Sequence, residues 1–139
     1  MKYESERPIP ENEMEVLYLF LRNHERLGFE RILKIQTKLP DIIALRNGKV
    51  VRIEVEYLTS RFYQHFEIYT NVADKFAFWG LLKRHDLSDE EIREIERKEK
   101  QERCEQVMRS IDIVVCWRKD KELPKGIEVI ELSKYNDLR

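Results

Sequence analysis

Apolar residues return at intervals of three and four near the start of the chain, where Met14, Leu17, Tyr18 and Leu21 stand at i, i+3, i+4 and i+7. That period predicts a helix over 14–27 with this stripe facing the core, Asn12 placed to cap its start and Gly28 to stop it. The pattern then shortens. FERILKIQTK (29–38), PDIIAL (40–45) and VVRIEVEY (50–57) are rich in Ile, Leu and Val and read as strands, and Asn47-Gly48 between the last two is a strong hairpin signal. Thr59 and Ser60 suit a helix start; RFYQHFEIYT then crowds four aromatics together, and VADKFAFWGLLKRH (72–85) reads as a broadly apolar helix. Ser88 opens a capping box with Glu91, leading into a helix with Glu and Lys or Arg three or four apart. IDIVVCW (111–117) is a continuous apolar run of strand type, buried on both faces if central, and GIEVIEL (126–132) supplies a final strand. The order is that of a mixed α/β fold.

Composition narrows the function classes. A length of 139 residues suits one domain, 1–139, with a real core. Lys and Arg number 26 against 27 Asp and Glu, so no global positive field draws in nucleic acid, and such binding needs a local basic patch. A charged fraction of 38% with few Gly and Pro suits a heat-adapted, thermophile-type surface of ion-pair networks. Cys104 and Cys116 form no CxxC and have no His at ligand spacing, which argues against zinc and against a disulfide framework and for a reduced, cytoplasmic setting. With no apolar leader and no long apolar run, the chain is expected to be soluble and to make no contact with a membrane.

The hairpin carries the chemistry. With Asn47 and Gly48 at the centre of a type I′ turn, facing positions sum to 95: Leu45 meets Val50, Ile43 meets Arg52, and Asp41 meets Glu54. Glu56 lies on that same face, two residues on. Ile42, Ala44, Val51, Ile53, Val55 and Tyr57 make the other face, a clean core surface. Facing like charges destabilise a sheet and raise a carboxyl pKa unless something positive compensates. Arg52, Lys34 or Lys38 would do so in a solvated ladder; a divalent cation would do so in a site, and hard carboxylate oxygens suit Mg²⁺ or Mn²⁺.

Pro40-Asp41, followed thirteen residues later by Glu54-Val55-Glu56 across a hairpin and after an acid-bearing helix, resembles the PD-(D/E)xK nuclease superfamily, with Glu56 where Lys is usual. The match covers roughly residues 11 to 60 and is similar, more loosely, to the archaeal Holliday junction resolvases, whose first helix contributes a Glu that falls on Glu13, with Glu15 or Glu11 as alternatives. IEVEYLTSRFYQH and IDIVVCW also resemble a group of uncharacterised restriction-endonuclease-like proteins, through Glu54, Glu56, Tyr57, Ser60, Phe62, His65, Asp112 and Cys116-Trp117. Arg61 stands where Asn is expected, a second His near Glu67 is missing, and about 66–110 is a long insertion.

The resemblance implies a restriction endonuclease-like mixed central sheet flanked by helices, with a charged helical insertion. It implies hydrolysis of phosphodiester bonds in DNA by a Mg²⁺- or Mn²⁺-dependent endonuclease, Asp41 and Glu54 holding the metal. Glu56 would accept a proton from water or bind a second ion, and Lys34 or Lys38 would supply the displaced positive charge. Arg61 and His65, four apart, with Lys83 and Arg84, form a candidate backbone-contact patch, and Phe62, Tyr63 and Phe66 either stack on bases or fill the core. A homodimer through the helical insertion is expected to present two sites to two strands. Against the enzyme stands a catalytically inactive module of the same fold, used for nucleic-acid binding or assembly.

Overall fold

The structure, a computed structural model, describes residues 1–37, 40–64 and 87–139. The chain divides into two compact units, Met1–Phe62 with Arg109–Arg139, and Tyr63–Met108. Of the second unit, Tyr63, Gln64 and residues 87–108 are described, the last carrying the charged helix Asp89–Met108, which we label α3. Ser88 caps it: Glu91 N donates to Ser88 Oγ (3.2 Å), the first half of the expected capping box, and the Ser88 hydroxyl donates in turn to Glu91 Oε1 (3.0 Å).

The first unit is a mixed α/β sheet structure. It opens with a hairpin of β1 (Lys2–Glu4) and β2 (Arg7–Ile9), whose turn residues Ser5 and Glu6 both take positive φ, at 50° and 65°. No Asn-Gly or Gly marks that turn, and Pro8 sits in the second strand, so the hydrophobic pattern gave no reason to expect it. Helix α1 (Glu13–Arg22) follows, then β3 (Arg31–Ile35), β4 (Ile42–Arg46), β5 (Lys49–Leu58), a helix α2 beginning at residue 59 and described to 64, β6 (Ile113–Arg118) and β7 (Glu128–Glu131), closed by a 3-10 turn, Leu132–Lys134. Among the described residues the main sheet has five strands in the order β3-β4-β5-β6-β7, antiparallel from β3 to β5 and parallel from β5 to β7.

The β4–β5 hairpin is the one the turn chemistry demands. Asn47 and Gly48 take φ of 51° and 74°, the left-handed pair of a type I′ turn, and the register runs Arg46 to Lys49, Leu45 to Val50, Ala44 to Val51, Ile43 to Arg52 and Ile42 to Ile53. Glu30 Oε1 accepts from Gly48 N at 2.9 Å. Ile42, Ala44, Ile53 and Val55 project into the core, with Val51 and Tyr57 packed at its edge. There they meet Ile113, Val115 and Trp117 of β6 and Ile130 of β7; β6 is buried along Ile113–Trp117, as an interior parallel strand requires.

Helix α1 covers this face, packing on β5 and β6. Asn12 caps it through a bond from Glu15 N to Asn12 Oδ1 (2.9 Å). Two expectations need correction. The helix ends at Arg22 rather than 27, because Asn23 Nδ2 donates to the Leu19 carbonyl (2.7 Å), taking the acceptor that a further turn would use, and also holds the Arg139 backbone. The core stripe is Val16, Leu19 and Phe20, with Phe20 edge-on to Phe29 at 5.2 Å; Met14 and Tyr18 point outward, 71% and 51% exposed. Both sets recur at three and four, so spacing alone did not separate them. Among the described residues no helix is long and apolar enough to cross a membrane.

Candidate functional site

The face of the β4–β5 hairpin turned away from the core carries Arg52, Glu54 and Glu56, and Asp41 stands just before β4. Here the ladder changes its currency from carbonyls to carboxylates. The register that pairs Ile42 with Ile53 brings Asp41 beside Glu54, and each side chain then bonds the other strand's backbone. Asp41 N donates to Glu54 Oε1 (2.9 Å), and Val55 N donates to Asp41 Oδ2 (3.0 Å). The Pro40 carbonyl, which strand continuation would aim at Val55, accepts from Gln36 Nε2 instead (2.7 Å). Two backbone N–H groups are thereby satisfied by two acids that also lie side by side.

Burial sets the electrostatics. Glu54 is 3% exposed and Glu56 fully buried. Burial, then the charge of Asp41, drives the Glu54 pKa well above the carboxylate range, with Glu56 adding to the rise. Glu56 is pushed up to about 9, first by burial and then by the charges of Glu13 and Asp41, while Arg61 pulls the other way. Glu13 is the first residue of α1, so the helix start delivers a fourth acid into the same field. The four acids singled out from the sequence, Asp41, Glu54, Glu56 and Glu13, are therefore one electrostatic group, with Arg61 as a cation acting on it.

Arg52 does not neutralise that group. It is held by Asp112: Arg52 N and Nε donate to Asp112 Oδ2 (2.8 and 3.2 Å), and Asp112 N donates back to the Arg52 carbonyl (3.0 Å). Burial raises the Asp112 pKa, but the bonds from Arg52 outweigh it and leave the carboxyl below its usual range. Lys34 is exposed on the edge strand β3, and Lys38 lies outside the described residues. Of the nucleic-acid patch, Arg61 is exposed on α2, whereas His65, Lys83 and Arg84 lie outside the described residues, as does Phe66. Phe62 is fully buried and so belongs to the core rather than to base stacking.

The donor set fits a hard cation in part. Asp41 and Glu54 offer adjacent carboxylates oriented by backbone N–H groups, and Mg²⁺ commonly takes one or two carboxylates and fills its remaining positions with water. Among the described residues no set of three His, Cys, Asp or Glu side chains stands as ligands to one ion, so a third acid does not complete such a site.

Sequence reasoning missed a second junction at the carboxyl ends of β5 and β6. Asp120 caps α2 across sixty residues: its Oδ1 accepts from Ser60 N (2.9 Å) and its Oδ2 from Ser60 Oγ (2.7 Å). The Thr59 hydroxyl oxygen accepts from the backbone N–H groups of Asp120 (3.1 Å) and Lys121 (2.9 Å). The bonds from Ser60 hold the Asp120 carboxyl below its usual range. Thr59-Ser60 was readable as a helix start; nothing in the local pattern named its distant partner. No protein-family model, curated protein or solved structure matches the chain.

Proposed function

We propose that this chain is a metal-dependent endonuclease of the PD-(D/E)xK type, with a restriction endonuclease-like fold, hydrolysing phosphodiester bonds in DNA. The observation that carries this reading is the reciprocal hold of Asp41 and Glu54, two carboxyl groups kept adjacent beside the buried Glu56, on which Glu13 also acts. Adjacent acids are costly to ionise together, and buried acids with raised pKa values gathered in one place are candidates for a functional site. The mixed sheet with α1 on its core face supports the fold assignment.

Asp41 and Glu54 would hold Mg²⁺ or Mn²⁺, which when bound lowers the pKa of water and offsets charge on the scissile phosphate. Asp41 keeps its backbone acceptor role in doing so, which fixes its carboxylate against rotation. Glu56, whose pKa burial and the charges of Glu13 and Asp41 push up to about 9 before any metal binds, would stand at the place of the family's Lys and, once a cation offsets the neighbouring charge, would accept a proton from water or bind a second ion. Arg61, exposed at the start of α2, supplies positive charge toward a DNA phosphate.

The test uses supercoiled, linear and branched DNA with Mg²⁺, with Mn²⁺ and with a chelator. Metal-dependent cleavage is expected, falling by roughly a hundred-fold or more in Asp41→Asn and Glu54→Gln, variants that keep the shape of each side chain. Circular dichroism checks that both remain folded. Cleavage that survives both substitutions overturns the assignment.

A second reading, a non-catalytic nucleic-acid-binding or assembly module of the same fold, is favoured by one observation: no third acid joins the pair as a ligand among the described residues. Salt-sensitive DNA binding without cleavage under any metal condition selects it.

A further inference from the structure

Strand β3 carries a bulge that turns an extra cation to the acid face. Its register runs Arg31 to Leu45 and Ile32 to Ala44, then shifts so that Lys34 meets Ile43 and Leu33 is left out of the ladder. Side chains alternate along a strand, so Arg31 and Lys34, three apart, would otherwise stand on opposite faces; the bulge puts both on the face turned away from the core. That face is built in rows. Gln36 N donates to the Asp41 carbonyl (2.8 Å), in the row of Asp41 and Glu54. Lys34, Ile43 and Arg52 make the next row, and Arg31, Leu45 and Val50 the one after. Arg52 is paired with Asp112 (3.2 Å). Arg31 and Lys34 are exposed, and among the described residues neither has a carboxylate at ion-pair distance.

We infer that Arg31 and Lys34 hold the backbone of a nucleic-acid strand that runs along the outer face of β3–β5 to the Asp41–Glu54 pair. What happens at that pair rests on the nuclease reading above; the contact itself needs no cleavage. Two residues of strand span about 7 Å, so the acid pair, Lys34 and Arg31 follow one another at a step close to that between neighbouring phosphates. A chain with a net charge of −1 has no general field to hold a polyanion, so a local row of uncompensated cations must do it. With a metal on the acids taking one phosphate, the next two fall to Lys34 and Arg31. Such contacts fix the register of the strand and read no bases. They use none of the residues of the backbone-contact patch expected from the sequence, Arg61, His65, Lys83 and Arg84.

Fluorescence anisotropy of a labelled DNA duplex, titrated with the full chain in a chelator between about 50 and 200 mM salt, tests the contact without cleavage. Loss of one phosphate contact lowers the slope of log affinity against log salt by about 0.9. That fall is expected in Arg31→Gln and in Lys34→Gln, nearly twice over in the double variant, and alike for unrelated DNA sequences. Circular dichroism is expected to stay unchanged, because both side chains are exposed. Lys49→Gln, on the opposite face, is expected to leave the slope as it is. Slopes that keep the parent value in both variants overturn the inference, even where the parent cleaves DNA with Mg²⁺. Displacement of the duplex by polyglutamate as readily as by unlabelled DNA also overturns it, in favour of an acidic protein segment. Reduced slopes in a chain that cleaves under no metal condition uphold the contact and overturn the enzyme, and a chain that binds no DNA overturns both.

Discussion

Glu56 concentrates the residue-scale logic. It is fully buried, and burial together with Glu13 and Asp41 lifts its pKa to about 9, in the same direction as Glu54. An acid whose folded pKa exceeds its unfolded value binds protons more tightly when folded. Its stabilising contribution is complete below the unfolded pKa of 4.5 and is lost as pH rises towards 9. The metal-free protein is therefore expected to melt at progressively lower temperature between about pH 5 and pH 9. Glu56→Gln, which copies the protonated shape, is expected to raise Tm by about 4 °C or more at pH 8 and to change it little at pH 5. Calorimetric scans across pH decide this, and a flat Tm in the parent protein contradicts it. The Asp41 and Glu54 neighbourhood was legible because the period of a strand is two and an Asn-Gly turn leaves only one register. Burial of Glu54 was not legible, since β6, whose Val114 lies beside it, arrives from beyond residue 110.

Elements are joined here by side chains that replace backbone. Thr59 and Asp120 tie the end of β5 and the start of α2 to the loop after β6, and Thr59 is fully buried. Thr59→Val keeps the shape and removes the acceptor for two backbone N–H groups. The expected loss is about 1–2 kcal/mol, read as a fall in the urea midpoint with unchanged slope. Strands β3, β4, β5, β6 and β7 were all anticipated from alternation or apolar runs. The β1–β2 hairpin was not, because a turn made by Ser5 and Glu6 carries no glycine signature. Helix α1 was found with its inner face half right: Leu17 and Leu21 pack at the edge of the core, but Val16, Leu19 and Phe20 fill it while Met14 and Tyr18, which repeat as regularly, stay outside.

At the scale of the molecule, the parallel seam between β5 and β6 has a consequence for how the chain reaches its native state. The β3–β4–β5 meander needs only near neighbours and a preformed turn, so it assembles early; β6 pairs with β5 across some sixty residues and carries the higher closure entropy. Until that seam zips, Glu54 and Glu56 face water and stay ionised at neutral pH. Joining Val114 to Glu54 and Cys116 to Glu56 removes that water, and the acids must then pick up hydrogen ions from solution. Sheet completion is thus a proton-consuming event. Stopped-flow refolding is expected to slow as the buffer is made more alkaline, and a weakly buffered solution carrying an indicator dye should turn more basic in the same phase in which the last strands dock.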